Sequence, residues 1–216
     1  MTIQDDRSTL IVIFRKGLFG PVIRKTDVKQ AILKKGAEII HRKGYNHTGI
    51  QEILDAAGVP KGSFYNYFRN KEDFGLQVVD HFMAHFDGVA AEILSDRSLP
   101  PLERLRKHLD YFIQLFKAHE YTLGCPVGNL GQEMGDISES FQRKLKQALD
   151  KMTEHYIHVL EEARSNGDLP KETDVKQTAY FVISSWHGAL IRMKIEKSPE
   201  PLEDHKHFIF NKILKG

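Results

Sequence analysis

The chain has 216 residues, 41% apolar and 28% charged, with one cysteine and a formal net charge of +2. That composition suits a soluble globular protein, either one mid-sized domain or a small domain joined to a larger one. It excludes an internal disulfide, the lone thiol fits a reducing cytoplasm, and the absence of an apolar run of about 18 residues argues against a transmembrane helix.

The charge is unevenly spread. Residues 1–75 carry 13 Lys/Arg against 8 Asp/Glu, and the remainder carries 18 against 21. A basic first third on an acidic body suggests a polyanionic partner for the N-terminal part. Residues 1–24 differ from the rest of the chain: LIVIF at 10–14 is apolar and β-branched, then glycines and a proline intervene. With no charged leader before it and no small-residue cleavage site after it, this segment reads as a mobile extension, or as an over-extended translation start.

From Asp27 the pattern turns helical. Val28, Ala31, Ile32, Ala37, Ile39 and Ile40 keep helical spacing, Thr26 or Asp27 can cap the start, and Gly44 can end it. A short helix is expected over about 49–57, with Thr48 as N-cap and Gly58 as stop. A third runs from Lys61 to near Tyr67, and Asn70 caps a long fourth over about 71–94. Further helices are expected near 102–119, 138–165, 173–195 and 202–214, punctuated by Pro100-Pro101, Asn166-Gly167 and Ser198-Pro199. The stretch 121–136, with four glycines and a proline, reads as a loop holding a short helix. The fold class is all-α.

Residues 58–68, GVPKGSFYNYF, carry the functional signal. Two short helices joined by a tight turn make a helix-turn-helix. Ile50, Ile53, Leu54 and Ala57 form the apolar face of the first, Gly58 can take the left-handed turn, Val59 packs inward, and Pro60 presets φ for the next helix. Phe64 and Phe68, four apart, belong to the core; Tyr65 and Tyr67 point elsewhere. Lys61, Gly62, Ser63, Tyr65 and Asn66 then sit where this motif enters a major groove. Gly62 allows close backbone approach, Lys61 can meet a phosphate or a guanine edge, and Asn66 can read adenine. Tyr67 and Lys71 suit phosphate, as does the hydroxyl or amide of Thr48. The alternative is a helical corner with an aromatic core and nothing bound.

The run GYNHTGIQEILDAAGVPKGSFYNYFRNKEDF (44–74), with Ala37 before it, resembles the DNA-binding domain of TetR-family transcriptional repressors. The family often has Ser where this chain has Pro60. Beyond the flexible extension read over 1–24, the resemblance implies a DNA-binding domain over 25–72 and a ligand-binding and dimerisation domain over 73–216. It implies a homodimer on a palindromic operator in double-stranded DNA, released by a small-molecule effector, with no cofactor. Dimer contacts are then expected from the last two helices. AYFVISSWHGALIRMKI (179–195) is apolar nearly all round, and Gly188 and Ala189 permit close crossing. Candidate effector contacts are Phe82, Met83, Phe86, Phe112, Phe116, Met134 and Tyr156.

Cys125 is weighed separately, as an inert buried thiol or as a sensor activated by the start of the helix after Pro126. GCPVGNLGQEMGDISES resembles the matching region of repressors that answer to reactive aldehydes, quinones or unsaturated acids. A regulator released by Cys125 modification is therefore the alternative to reversible ligand binding. His81/His85 and His155/His158 have the spacing of half a metal site, but no third ligand is evident and no metal is expected. An enzyme using Cys125 as nucleophile lacks a recognisable signature.

Overall fold

The computed structural model describes residues 28–215. The expectations for 1–24 and for a cap at Thr26 or Asp27 lie outside the described residues.

Helix α1 (Val28–Lys43) buries Ile32, Leu33, Gly36, Ala37 and Ile40 along one stripe and ends at Gly44. Helix α2 (Ile50–Ala57) follows, and its start differs from expectation: the N-cap is Gly49, without a side-chain cap. Thr48 is turned inward instead, its hydroxyl donating to the Gly44 carbonyl at 2.6 Å. α2 stops at Gly58, which has φ 67°, where Gly58 N–H reaches Asp55 O and Val59 N–H reaches Leu54 O. Both bonds need the left-handed residue that glycine supplies without a Cβ clash.

Lys61–Asn66 is a 3₁₀ helix rather than the α-helix expected. Six residues containing Gly-Ser give little α-propensity, and i→i+3 bonds close early, Ser63 N–H to Pro60 O at 2.9 Å being the first. The last turn relaxes toward α-geometry, with Phe68 N–H donating to Phe64 O at 3.0 Å. That relaxation returns Phe68 to the face of Phe64, and both are fully buried.

Asn70 caps α3 (Lys71–Ile93) by accepting from Asp73 N–H at 2.8 Å. Then come α4 (Pro101–Ala118), α5 (Pro126–Met134, the short helix expected within the glycine-rich loop), α6 (Glu139–Asn166), α7 (Val175–Glu196) and α8 (Glu200–Phe208). α8 runs on into a π-turn over Ile209–Ile213. No strand occurs among the described residues.

Helix α3 is the spine. Its first turn supplies Phe74, which packs with Phe64 and Phe68 at ring separations of 5.5 and 5.0 Å. Its middle supplies Val78, Val79, Phe82, Met83 and Phe86 to the body of the molecule. The 72/73 boundary expected between domains therefore falls inside the first turn of a continuous helix. α1 crosses α3 where Gly36 faces Phe74, and a Cβ there would stand 2.3 Å from Phe74 Cζ and 3.1 Å from Ile53 Cγ2. Phe74 is fully buried and held by two other rings, so it cannot swing aside.

This contact can be tested. Gly→Ala inside a helix normally stabilises by about 1 kcal/mol. Here Gly36→Ala is expected to destabilise by about 1–3 kcal/mol because the core is overpacked. A thermal melt of the variant decides the sign; a raised midpoint would refute the packing described.

Candidate nucleic-acid interface and ligand cavity

The outer face of the 3₁₀ helix is built from residues that sequence reasoning named. Lys61, Gly62, Tyr65, Asn66 and Tyr67 are exposed and Ser63 is half-buried. Tyr65 is 65% exposed although Phe64 beside it is fully buried, so the short helix is a rigid plinth with its polar side outward. A Cβ at Gly62 would meet nothing within 4 Å, which leaves its backbone open to close approach. No carboxylate lies on this segment.

Two expected residues are placed differently. Thr48 is buried, with its amide donating to Tyr45 O and its hydroxyl to Gly44 O, so both donors are engaged within the protein. At the start of α2 it is instead the backbone amides after uncapped Gly49 that lack intrahelical acceptors. The Lys71 ammonium lies 4.4 Å over the Tyr45 ring, where partial desolvation lowers its pKa. Arg69, 86% exposed at its side chain, was not picked out from sequence; its position just past the aromatic cluster was the available signal.

A second site lies inside the body. Phe82, Met83, Phe86, Phe112, Phe116, Cys125 and Tyr156 all line one cavity of about 70 Å³. Met134, at the far end of α5, is buried but does not line it, because only Pro126 and Val127 of that helix border the space. Phe86 and Phe112 stack across it at 5.8 Å. Sequence reasoning missed His41 from α1, His85, Met152 from α6, and Ile183, Trp186 and Leu190 from α7. Only the inward side of the 179–195 apolar run hinted at the last three.

His41 matters most because it belongs to the helix that precedes the helix-turn-helix. Its Nε2–H donates to the Gly124 carbonyl at 2.8 Å, since a carbonyl only accepts. Its Nδ1 is buried without a partner. Burial, with the charges of Lys194, His119 and Arg42 against it, lowers its pKa to about 4 despite that hydrogen bond. His108, bonded to the Tyr156 hydroxyl at 3.0 Å, is driven by burial to about 3. Burial also lowers His85. The cavity therefore has neutral imidazoles and no charged side chain in its wall at neutral pH.

Cys125 precedes α5 and is half-buried. Burial pushes its thiol up; the amides of Gly128 and Val127 pull the other way without prevailing. Among the described residues no group of three His, Cys, Asp or Glu is placed to hold a metal ion; His155 instead meets the Asp87 carboxylate at 3.0 Å.

The cavity is tied to the DNA-facing domain at both ends of α5. Gly124, just before it, holds His41. Glu133, near its end, accepts from Asn46 N–H at 3.0 Å in the turn between α1 and α2. Beside this, Ser138 Oγ donates to Glu72 at 2.5 Å and Tyr45 packs edge-on against Phe141 at 5.1 Å.

The outer face of α7 carries Phe181, Gly188, Ile191 and Ile195, spaced 7, 3 and 4 apart along the sequence. Phe181 and Ile191 are each 46% exposed and Ile195 is 77% exposed. Phe208 of α8 is also half exposed. Together the α7 residues leave an exposed apolar strip along one helix face.

Known proteins agree with this architecture. Residues 32–78 match the family model for bacterial regulatory proteins of the tetR family, and residues 101–209 match the tetracyclin repressor-like C-terminal domain. The transcriptional regulator AcuR of Cereibacter sphaeroides is 37% identical over 185 residues, covering 83% of this chain and 84% of that protein. The repressor DhaR of Mycobacterium sp. strain GP1 is 32% identical over 190 residues, covering 88% of this chain and 94% of its own. Among solved structures, a regulatory protein TetR from Rhodobacter sphaeroides superposes with a TM-score of 0.80 at 37% identity, covering 83% of this chain and 95% of that one. The reduced form of Escherichia coli NemR gives 0.78 at 29% identity, covering 86% and 97%.

The histidines generate a pH prediction. Each ring is neutral in the fold, while the unfolded chain takes up its proton near 6.5. Stability is therefore complete above about pH 6.5 and falls as pH drops toward the folded values near 4 and 3. Each such ring removes roughly 1 kcal/mol per pH unit across that window. Melting midpoints are expected to be flat from pH 8 to 7 and to fall steeply from 6.5 to 4.5, ahead of most carboxylate titration. A flat profile there would mean the rings are hydrated rather than buried.

Proposed function

Because the chain belongs to the TetR family of bacterial regulatory proteins, and is a DNA-binding transcriptional regulator of that type, we propose that it is a homodimeric repressor released from a palindromic operator by a small-molecule effector. The recognition surface is the exposed turn of Lys61, Gly62, Ser63, Tyr65 and Asn66, inserted in the major groove. Tyr67 and the first amides of α2 hold flanking phosphates. Two copies of that turn must lie about 34 Å apart, one DNA turn, or a small multiple of it.

The observation that carries this reading is His41. A residue of α1, in the DNA-facing domain, forms part of the cavity wall and hydrogen-bonds the Gly124 carbonyl. An effector entering the cavity displaces the 124–127 segment, and α5 passes the displacement on through Glu133 to the turn at Asn46. The spacing of the two 3₁₀ helices then changes. A bias of a few kcal/mol between the two spacings suffices to shift occupancy strongly. The raised pKa of Cys125 favours reversible occupancy of the cavity over release by thiolate chemistry at neutral pH.

Selection of bound sequences from random duplex DNA is expected to yield a palindrome. On that DNA, Lys61→Ala should weaken binding about tenfold or more and flatten the salt dependence by about two, one phosphate per protomer. Wild-type log affinity should fall with log salt with a slope on the order of −4 to −5, for four to six phosphates. An unchanged affinity for Lys61→Ala at fixed salt would leave the helix-turn-helix as scaffold only. For the assembly, Ile191→Glu is expected to give a monomer by light scattering and to lose operator binding with the fold intact. A dimer of unchanged mass would place the interface elsewhere.

A further inference from the structure

The cavity has a neighbour. A cleft of about 250 Å³ opens between α5 and α7 on the outer side of Gly124, Cys125 and Leu190, and those three residues line both spaces. The two compartments differ in chemistry. The inner one is walled by aromatic, aliphatic and sulfur-bearing side chains with neutral imidazoles. The outer one adds Asn129 and Gln132 from α5 and His187 and Lys194 from α7.

No Asp or Glu lines the outer cleft. Lys194 makes no ion pair among the described residues, unlike Lys43, Lys144, Lys151 and Lys206. The side-chain amides of Asn129 and Gln132 likewise have no hydrogen-bond partner among the described residues. A Cβ at Gly128 would stand 3.1 Å from His187 Cδ2, so the absence of a side chain there is what lets this imidazole lie against α5. His187 Nε2 is buried and unpartnered. A cation and two carboxamides without a carboxylate to balance them make an anion site. Its other lining from α7 is aliphatic, from Leu190, Ile191 and Ile195.

We infer that the outer cleft is an anion subsite, and that the effector is a small amphiphilic organic acid bound across the Gly124–Cys125 partition. Its carboxylate sits with Lys194 and the Asn129 amide, and its short apolar end points past Leu190 into the inner cavity. The division follows from solvation. A carboxylate in the inner cavity would lose its hydration and find no cation, at a large cost. An aliphatic end left in the cleft would forgo burial among Phe82, Phe86 and Trp186. The inference rests on the ligand-responsive reading above and adds the chemistry of the ligand.

Sodium butyrate and 1-butanol, matched in chain length, separate the possibilities. Trp186 is the chain's single tryptophan and lines the inner cavity, so its emission reports entry there, while calorimetry gives affinity. Butyrate is expected to bind the full-length wild type more tightly than butanol and to change Trp186 emission. Lys194→Gln should weaken butyrate about tenfold or more, Lys194→Arg should restore most of it, and butanol should bind both variants as it binds wild type. Retained butanol binding also shows that each variant is folded. Equal butyrate affinity in wild type and Lys194→Gln overturns the proposal. So does butanol binding without butyrate binding, which leaves effector control intact. Lys194-dependent butyrate binding that leaves the grip on selected DNA unchanged keeps the anion subsite and removes effector control.

Discussion

The hydrogen bond from His41 Nε2 to the Gly124 carbonyl joins two parts of the chain 83 residues apart, and most of the arrangement depends on it. Helix α1 is not only the first support of the helix-turn-helix; its last turn is also a wall of the cavity. The imidazole sits edge-on to Phe82 at 5.4 Å, which fixes the register between α1 and the spine helix α3. Such a bond, buried beside an apolar space, is stronger than its counterpart in water and costly to break without a replacement. Any change in the 124–127 segment is therefore felt in α1.

Helix α5 gives the contact its reach. Nine residues carry the cavity border at one end and Glu133 at the other. The helix thus spans from the cavity border to the turn between α1 and α2. The receiving end is stiff. Phe64, Phe68 and Phe74 form a closed aromatic cluster under the 3₁₀ helix, each ring almost wholly buried. The recognition turn cannot slide on that base; it can only travel with it. The two bodies share the continuous helix α3 and are linked a second time through α5.

Electrostatics divides the molecule in the same way. The DNA-facing surface keeps Lys61 exposed, and Lys61–Asn66 carries no carboxylate. The cavity wall does the reverse, holding His41 and His85 neutral by desolvation so that it carries no charge. Lys194 lies on the far side of the Cys125 partition, in the outer cleft. The exposed apolar stripe on α7 reaches that point, since Ile191 and Ile195 also line the outer cleft.

Much of this was legible in the sequence because it is written in short-range spacing. The helix boundaries, the Asn70 cap, the turn at Gly58 and the division of Phe64 and Phe68 from Tyr65 and Tyr67 all follow from periodicity and local backbone chemistry, which neighbouring residues decide. The fold class and the outward recognition turn came with them. Inward-facing residues such as Phe86, Phe112 and Tyr156 could be nominated, since a helical apolar stripe announces a core. Tertiary structure alone decided which of them border an empty space: Met134 does not, while His41 and Trp186 do. It also turned Thr48 inward and drew Lys71 over Tyr45. Those outcomes depend on what approaches from distant parts of the chain, and a cavity is a property of the gap between such parts, which no single stretch of sequence contains.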